Sequence, residues 1–170
     1  EERKEELCHA AHITMGCPAH LSGVIHVDGP IHGMSTYAKR AFLMEAEEEI
    51  GHSLVVKEAI GVCTLINPWN YPLSQLVGKL GPALASGCTV VVKPAEQTPL
   101  QDFIMAEIIA AALAEYDAPS GIFNLVPGTG AVVGDALSRH KDIDMLSFTG
   151  STQAGIKVAQ AAAPTVKRVM

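Results

Sequence analysis

The chain has 170 residues, of which 48% are hydrophobic and 18% charged, and its formal net charge at pH 7 is -6. This length is enough for one domain with a sizeable core, and the composition excludes a disordered chain. The acidic balance argues against contact with a phosphate backbone, so we do not expect nucleic acid as a partner. No apolar run approaches the roughly 20 residues that cross a bilayer, so we expect no membrane association.

The termini indicate a truncated chain, and the cysteines indicate a reducing compartment. The opening residues 1–6 are charged and resemble neither a signal peptide nor a transit peptide. The chain stops just inside a predicted strand at residues 166–170, so we expect a piece of a longer protein. No C-x-x-C pair occurs, and two cysteines lie in apolar runs, which favours free thiols in the cytoplasm. The four cysteines are Cys8, Cys17, Cys63 and Cys88.

Residues 1–50 are predicted to form an N-terminal helical region with a break at residues 15–18. Its last helix is predicted over residues 34–50, through Met44 and Glu45 and an acidic run at 45–49. His9 and His12 would share a helix face, but the spacing of the other histidines and cysteines matches no zinc pattern. We therefore predict solvated histidines and no metal site.

From residue 51 onward, short apolar runs alternate with helical segments of ten to fifteen residues. The alternation predicts an α/β fold, a Rossmann-like parallel sheet with helices on both faces, over residues 51–170. An extended segment is predicted at 54–58, with strands at 62–66, 89–93, 122–126 and 143–148. One helix is predicted at about 72–85, and a second begins at residue 98. A third ends at about residue 137, and a fourth covers residues 152–163.

The helix from residue 98 has a recognisable start. Thr98 can cap it, Pro99 suits its first position, and Gln101 can close a capping box. Ile104, with residues 108 and 111, is predicted to form one buried stripe.

The most informative segment is residues 67–72, Asn-Pro-Trp-Asn-Tyr-Pro, directly after the predicted strand 62–66. Two prolines restrict the backbone on either side of Trp69 and Asn70. A rigid turn at the carboxyl end of a buried strand is where α/β proteins place ligand-binding groups. The amide of Asn70 can therefore donate to an oxyanion, and the alternative is that Asn70 caps the next helix.

Further polar turns follow the later strands. Lys93 and Glu96 can bind a ribose, or they form an ordinary surface ion pair. Residues 148–155 supply Gly150, the hydroxyl of Ser151 and a helix start that suits a pyrophosphate, or simply a capped helix. A glycine-rich stretch at residues 128–134 matches the dinucleotide fingerprint only loosely and follows a late strand.

Taken together, these motifs resemble the aldehyde dehydrogenase superfamily. The shared segments are residues 67–72, 81–88, 93–99 and 148–152, in the order in which the family has them. The resemblance covers residues 54–170 well and the first fifty residues loosely.

The resemblance implies roles for individual residues. Asn70 matches the asparagine that holds the carbonyl oxygen of the thiohemiacetal, and Lys79 matches a lysine to which a proton-relay role is given. Glu96 matches the carboxylate that favours NAD over NADP by repelling a 2′-phosphate. The implied cofactor-binding residues are Ile66, Pro68, Trp69, Asn70, Lys93, Glu96, Gly150, Ser151 and Gly155.

The resemblance also implies that the nucleophilic cysteine and the general-base glutamate lie beyond Met170. The chain alone is then inactive, while its parent oxidises an aldehyde to a carboxylic acid with NAD, as a homo-dimer or homo-tetramer. Two alternatives stay open: a dehydrogenase that passes the thioester to coenzyme A, and a nucleotide-binding module without catalysis.

Overall fold

Helices occupy the first part of the chain, and strands alternate with helices after it. A computed structural model describes residues 2–43 and 47–170. The helices are α1 (Lys4–Met15), α2 (Ala19–Gly23), α3 (Gly29–Ala41), α4 (Pro72–Ala85), α5 (Leu100–Glu115), α6 (Asp135–Arg139) and α7 (Thr152–Ala162), with π-helical turns at Val24–Asp28 and Gly130–Gly134 and a 3-10 turn at Ala163–Thr165. The strands are β1 (Glu47–Ile50), β2 (Ser53–Val56), β3 (Val62–Ile66), β4 (Thr89–Lys93), β5 (Phe123–Leu125), β6 (Met145–Phe148) and β7 (Arg168–Val169).

The central feature is a five-stranded parallel sheet in the order β5-β4-β3-β6-β7. The chain moves outward from β3 to β5, then crosses back to place β6 on the other side of β3. The change of direction leaves a crevice beside the carboxyl ends of β3 and β6, where doubly wound sheets bind ligands. The predicted parallel α/β sheet is confirmed.

Helices cover both faces of the sheet, as predicted. On one face, Leu76 and Leu80 of α4 pack against Cys63, Leu65 and Val90. On the other face, a separate cluster packs α7 and the segment before β6 against the sheet through Ile143, Leu146, Val158 and Ala162. Because successive strand residues point to opposite faces, β3 contributes to both clusters, with Cys63 and Leu65 in the first and Val62 against the second, whereas Val90 and Val92 of β4 belong to the first.

The N-terminal helices pack against the helices of the sheet. Leu7 and Val27 share a buried cluster with Leu73 and Val77 of α4 and with Ile104 of α5. The boundary between the N-terminal region and the nucleotide-binding region at residue 50 stays a prediction.

The predicted helical end of residues 34–50 is wrong where the structure describes it. Glu47–Ile50 is strand β1, paired antiparallel with β2 through a two-residue turn at Gly51 and His52. Gly51 has φ +63, which suits such a hairpin turn and which other residues seldom adopt. In β1, successive glutamates point to opposite faces of the hairpin, whereas a helix would place their charges closer together. Met44 and Glu45 lie outside the described residues.

The predicted capping box of α5 is also wrong. Pro99 occupies the N-cap, and no side chain caps this helix within the described chain. The hydroxyl of Thr98 donates instead to the carbonyl oxygen of Trp69 at 3.0 Å, and Gln101 donates to the carbonyl oxygen of Leu7 at 3.0 Å. Both side chains thus join distant segments. The predicted stripe is shorter as well, because Ile104 is buried while Ala111 is exposed.

The sequence predicts neither a membrane-spanning helix nor a metal site. Within residues 2–43 and 47–170, no helix is both long and apolar enough for a bilayer crossing. In the same ranges, no three His, Cys, Asp or Glu side chains are grouped so as to hold a metal ion. The ring Nδ1 of His12 lies 2.7 Å from the carbonyl oxygen of Cys17, beside the left-handed Gly16 that ends α1.

Candidate dinucleotide cleft

A cleft of about 510 Å³ lies where β3, β4 and β6 end. Three polar turns that the sequence places after these strands all contribute to its lining, because the carboxyl ends of parallel strands meet at one edge of a sheet. Of the predicted cofactor-binding residues, all but Gly155 line it. They are Ile66, Pro68, Trp69, Asn70, Lys93, Glu96, Gly150 and Ser151.

The turn after β3 presents Asn70 at the cleft. The N-cap of α4 is Tyr71, and within the described residues no side chain caps this helix, so the capping alternative for Asn70 is wrong. The side chain of Trp69 is 59% exposed, while its carbonyl oxygen is held by Thr98 from the loop after β4. The turn is therefore braced by a neighbouring loop and leaves Asn70 exposed at the cleft.

The Lys93 and Glu96 pair is not an ordinary surface ion pair. The side chain of Lys93 is only 2% exposed, and its Nζ donates to the carbonyl of Pro94 at 2.6 Å and to Glu96 Oε2 at 3.1 Å. Burying a cation costs free energy unless acceptors surround it, which these two do. The buried lysine thus holds the half-exposed carboxylate of Glu96 at the cleft.

Glu96 has a second partner in the glycine-rich stretch at residues 128–134. Its Oε1 accepts a hydrogen bond from the backbone N–H of Gly130 at 3.3 Å. Partial burial alone would raise the pKa of Glu96, but hydrogen bonds from its own backbone, Lys93 and Gly130 outweigh this and lower the pKa below its ordinary value. Glu96 is therefore a carboxylate at neutral pH, and the glycine-rich turn at 128–134 belongs to the cleft.

The turn after β6 combines a helix cap with close packing. Ser151 caps α7 by accepting from the backbone N–H of Ala154 at 3.3 Å, so the capped-helix interpretation is confirmed, and the cap faces the cleft. A Cβ on Gly150 would lie 2.5 Å from the Phe148 ring, and one on Gly155 would lie 3.4 Å from it. Both glycines make room for Phe148, and Gly155 lies behind the lining.

Lys79 lies beneath the turn rather than in the cleft. Its Nζ donates to the carbonyl oxygen of Ile66 at 3.1 Å and to Asn67 Oδ1 at 2.9 Å. Burial lowers the pKa of Lys79 to about 8, and the charge of Asp102 opposes this shift. The amine also lines a groove of about 450 Å³ along the α4 face of the sheet. The structure therefore does not bring Lys79 and Asn70 into one cavity.

Asn67 and Asp102 are polar residues at this turn that sequence reasoning missed. Asn67 is 4% exposed and Asp102 is fully buried. Asn67 opens the segment 67–72, where a lone asparagine at the end of a strand has no local signal that separates it from an ordinary turn residue. Asp102 carries no local signal, since it stands in the first turn of a helix, where acidic residues are common.

The four cysteines differ in environment. All four are free, and Cys17, Cys63 and Cys88 are buried. Burial raises the pKa of Cys63 to about 12, which keeps this thiol protonated at neutral pH. Burial alone would raise the pKa of Cys88, but hydrogen bonds with Ser86 and with the backbone of Gly61 and Ile60 outweigh it and lower this pKa. The expectation that none of them replaces the family nucleophile stays a prediction.

Comparison with known proteins agrees with the geometry. The model of the aldehyde dehydrogenase family matches residues 1–170. A 3-succinoylsemialdehyde-pyridine dehydrogenase of a Pseudomonas species is 42% identical over 172 aligned residues, which cover 99% of this chain and 35% of the relative. The chain thus spans about a third of the length of the curated relatives it matches.

Solved structures give the same result. Aldehyde dehydrogenase C of Pseudomonas syringae, a mutant with NAD+ and octanal, is 43% identical with a TM-score of 0.87, over 99% of this chain and 34% of that one. Betaine aldehyde dehydrogenase of Staphylococcus aureus with NAD+ is 35% identical with a TM-score of 0.90, over 99% and 34%. Glyceraldehyde-3-phosphate dehydrogenase of Methanocaldococcus jannaschii with NADP is 32% identical with a TM-score of 0.90, over 99% and 37%. The chain belongs to the aldehyde dehydrogenase family.

Proposed function

We propose that the chain is the cofactor-binding part of an enzyme that oxidises an aldehyde to a carboxylic acid, with NAD as the hydride acceptor. The observation that carries the proposal is the cleft itself, where three turns converge at the switch point of a Rossmann-like sheet. Similar solved structures hold NAD+ or, in one case, NADP.

The residues of the cleft suit a dinucleotide. Glu96, held by buried Lys93 and the Gly130 N–H, presents a carboxylate that can accept from both hydroxyls of the adenosine ribose. The N-terminus of α7, capped by Ser151, offers free N–H groups and a positive dipole end to the pyrophosphate. Ile66, Pro68 and Trp69 would lie along the nicotinamide ribose. When bound, NAD would be the acceptor of the hydride.

Asn70 is proposed to bind the aldehyde oxygen. Asn70 is exposed and stands on a turn that two prolines restrict and that Thr98 braces, so the backbone that carries the donor is held before substrate arrives. Negative charge develops on that oxygen when a nucleophile adds to the carbonyl. The amide N–H then stabilises the charged oxygen more than the neutral carbonyl, which is how an oxyanion donor lowers a barrier.

Lys79 is proposed to relay a proton. Its amine has a pKa of about 8, close to neutral pH, so it can exist in both protonation states during turnover.

We further propose a cytoplasmic protein that forms a homo-dimer or homo-tetramer. The four free cysteines support the reducing compartment.

The test uses the full-length protein with NAD and octanal, and follows NADH absorbance. We expect oxidation of octanal by the wild-type protein. Asn70→Ala should lower kcat by about 10²–10³, the range for loss of one oxyanion donor. A wild-type protein that binds NAD but reduces none with octanal or shorter aldehydes would contradict the proposed oxidation. A change in kcat below threefold for Asn70→Ala would remove its assigned role.

A further inference from the structure

Three polar side chains from different elements meet beneath the turn after β3. They are Lys79 of α4, Asn67 at the end of β3 and Asp102 in the first turn of α5. We propose that Asp102 is a positioning residue of the aldehyde-oxidising site: it fixes the orientation of the Asn67 carboxamide and, through it, the amine of Lys79. The inference rests on the proposed function, because it assigns a task to a residue behind that site.

The contacts form a continuous chain. Lys79 Nζ donates to Asn67 Oδ1 at 2.9 Å, and Asn67 Nδ2 donates to Asp102 Oδ1 at 3.4 Å. Asn67 and Asp102 are both buried, so water does not compete for these groups. Lys79 also donates to the carbonyl of Ile66, the last residue of β3, so its position bears on the start of the turn that carries Asn70.

The chemistry of the three groups admits one orientation of the carboxamide. Above pH 7, which is about the pKa of Asp102, this side chain is a carboxylate and only accepts. An ammonium group only donates, whereas a carboxamide does both from opposite ends. Asn67 can satisfy its two neighbours only by turning its NH₂ toward Asp102 and its oxygen toward Lys79. Among the residues that the structure describes, the carboxylate of Asp102 is the partner of the NH₂ group. Without it, the amide can rotate its own donors toward the ammonium.

Asp102 is poorly explained as a residue that serves stability alone. Its Oδ2 has no hydrogen-bond partner among the described residues, and a buried carboxylate with an unpaired oxygen is costly. The charged groups that face it are Lys79 from α4 and Lys93 from the end of β4. Both lysines underlie the cleft, so the carboxylate is the buried counter-charge that these two cations share.

The electrostatic consequence has a definite sign. Asp102 raises the pKa of Lys79 against the larger lowering by burial. Removing the negative charge while keeping an oxygen in place should therefore lower the pKa of Lys79 further. Removing the oxygen as well should release the Asn67 carboxamide. The two effects are separated by Asp102→Asn, which keeps an acceptor for Asn67, and Asp102→Ala, which does not.

The experiment compares these two variants with the wild type in the full-length protein, using NAD and octanal. Glu107→Gln is the matched control, because it removes a carboxylate from the same helix at an exposed position paired with Arg3. We expect Asp102→Ala to lower kcat about tenfold or more, with the KM for NAD within about twofold, since misplaced groups slow the reaction more than they weaken binding. Asp102→Asn should recover most of kcat. Glu107→Gln should match the wild type.

A second readout needs no turnover. Trace acetylation of Lys79 against pH, followed by mass spectrometry, reports the midpoint at which its amine loses a proton. We expect Asp102→Asn to move this midpoint down by about one pH unit, as loss of a nearby opposite charge does. Glu107→Gln should leave it unchanged.

The outcomes separate the two proposals. If the wild type oxidises octanal and Asp102→Ala keeps wild-type kcat, or the Lys79 midpoint is the same in Asp102→Asn and the wild type, Asp102 is not a positioning residue. If the wild type oxidises no aldehyde, the proposed function fails, while the Lys79 midpoint still tests the link to Asp102. Should Asp102→Ala not fold, Asp102→Asn alone decides through its midpoint.

Discussion

Glu96 shows how one residue can serve both binding and selection. Both of its carboxylate oxygens are engaged, one by Lys93 and one by the Gly130 N–H, so the group is oriented without a ligand. The same contacts lower its pKa, so it carries a full negative charge at neutral pH. A 2′-phosphate on the adenosine ribose would bring like charge against it.

We therefore expect Glu96→Thr to raise the ratio of NADP to NAD use. Removing the charge relieves the repulsion, and the threonine hydroxyl can still donate to a phosphate oxygen. The measurement is kcat/KM for each cofactor with a saturating aldehyde in the full-length protein. Glu58→Thr, an exposed change of the same kind that lies outside the cleft, is the control. An unchanged NADP/NAD ratio in Glu96→Thr would contradict the ribose role.

At the scale of single elements, the turns depend on close packing as much as on polar groups. The turn between β6 and α7 passes so near the Phe148 ring that a Cβ at position 150 would force the ring or the turn to move. The hairpin between β1 and β2 is different, because all eight of its strand residues are exposed and only the backbone ladder and Gly51 specify it.

Gly150→Ala should destabilise the fold by about 1–3 kcal/mol, the usual cost of overpacking. The added methyl would lie 2.5 Å from Phe148 Cζ, so the ring or the turn must move. Thermal or urea unfolding measures the change. Gly78→Ala is the matched control, because nothing lies within 4 Å of its Cβ and it is exposed within α4, where alanine should stabilise by up to about 1 kcal/mol. Equal effects of the two substitutions would contradict the packing role of Gly150.

At the scale of the whole molecule, the sheet, α4 and α5 enclose a buried acid whose titration bears on stability. Burial raises the pKa of Asp102 to about 7, against hydrogen bonding by Asn67 and the charges of Lys79 and Lys93. An unfolded aspartate titrates near about 3.9. Between these values the folded state holds a proton that the unfolded state has lost. Stability from this group therefore falls as pH rises from about 4 to about 7 and is constant above that.

Asp102→Asn should remove this contribution. We expect the unfolding midpoint of the variant to depend less steeply on pH between about 4 and 7 than that of the wild type, with the variant gaining relative stability toward neutral pH. The measurement is the thermal midpoint of both proteins at a series of pH values. Parallel curves over this range would show that Asp102 does not titrate there.

Local patterns predicted most of the sheet. The apolar runs predict β3 and β4, because strands buried on both faces are hydrophobic throughout. Proline and glycine mark the ends of the helix between them. The hairpin was missed because its acidic strand has no apolar alternation, and its turn signal, Gly51 and His52, is not one of the usual pairs.

What the sequence determined by itself is the alternation of strands and helices, the polar turns that follow the strands, and the family to which those turns belong. These depend on neighbours within a few residues. The tertiary structure alone decided that Thr98 and Gln101 bind distant carbonyl groups instead of capping α5, and that Asp102 meets Asn67, 35 residues away. A polar side chain in a folded protein bonds whatever group the packing of helices and strands brings within reach, and sequence spacing carries no record of that partner.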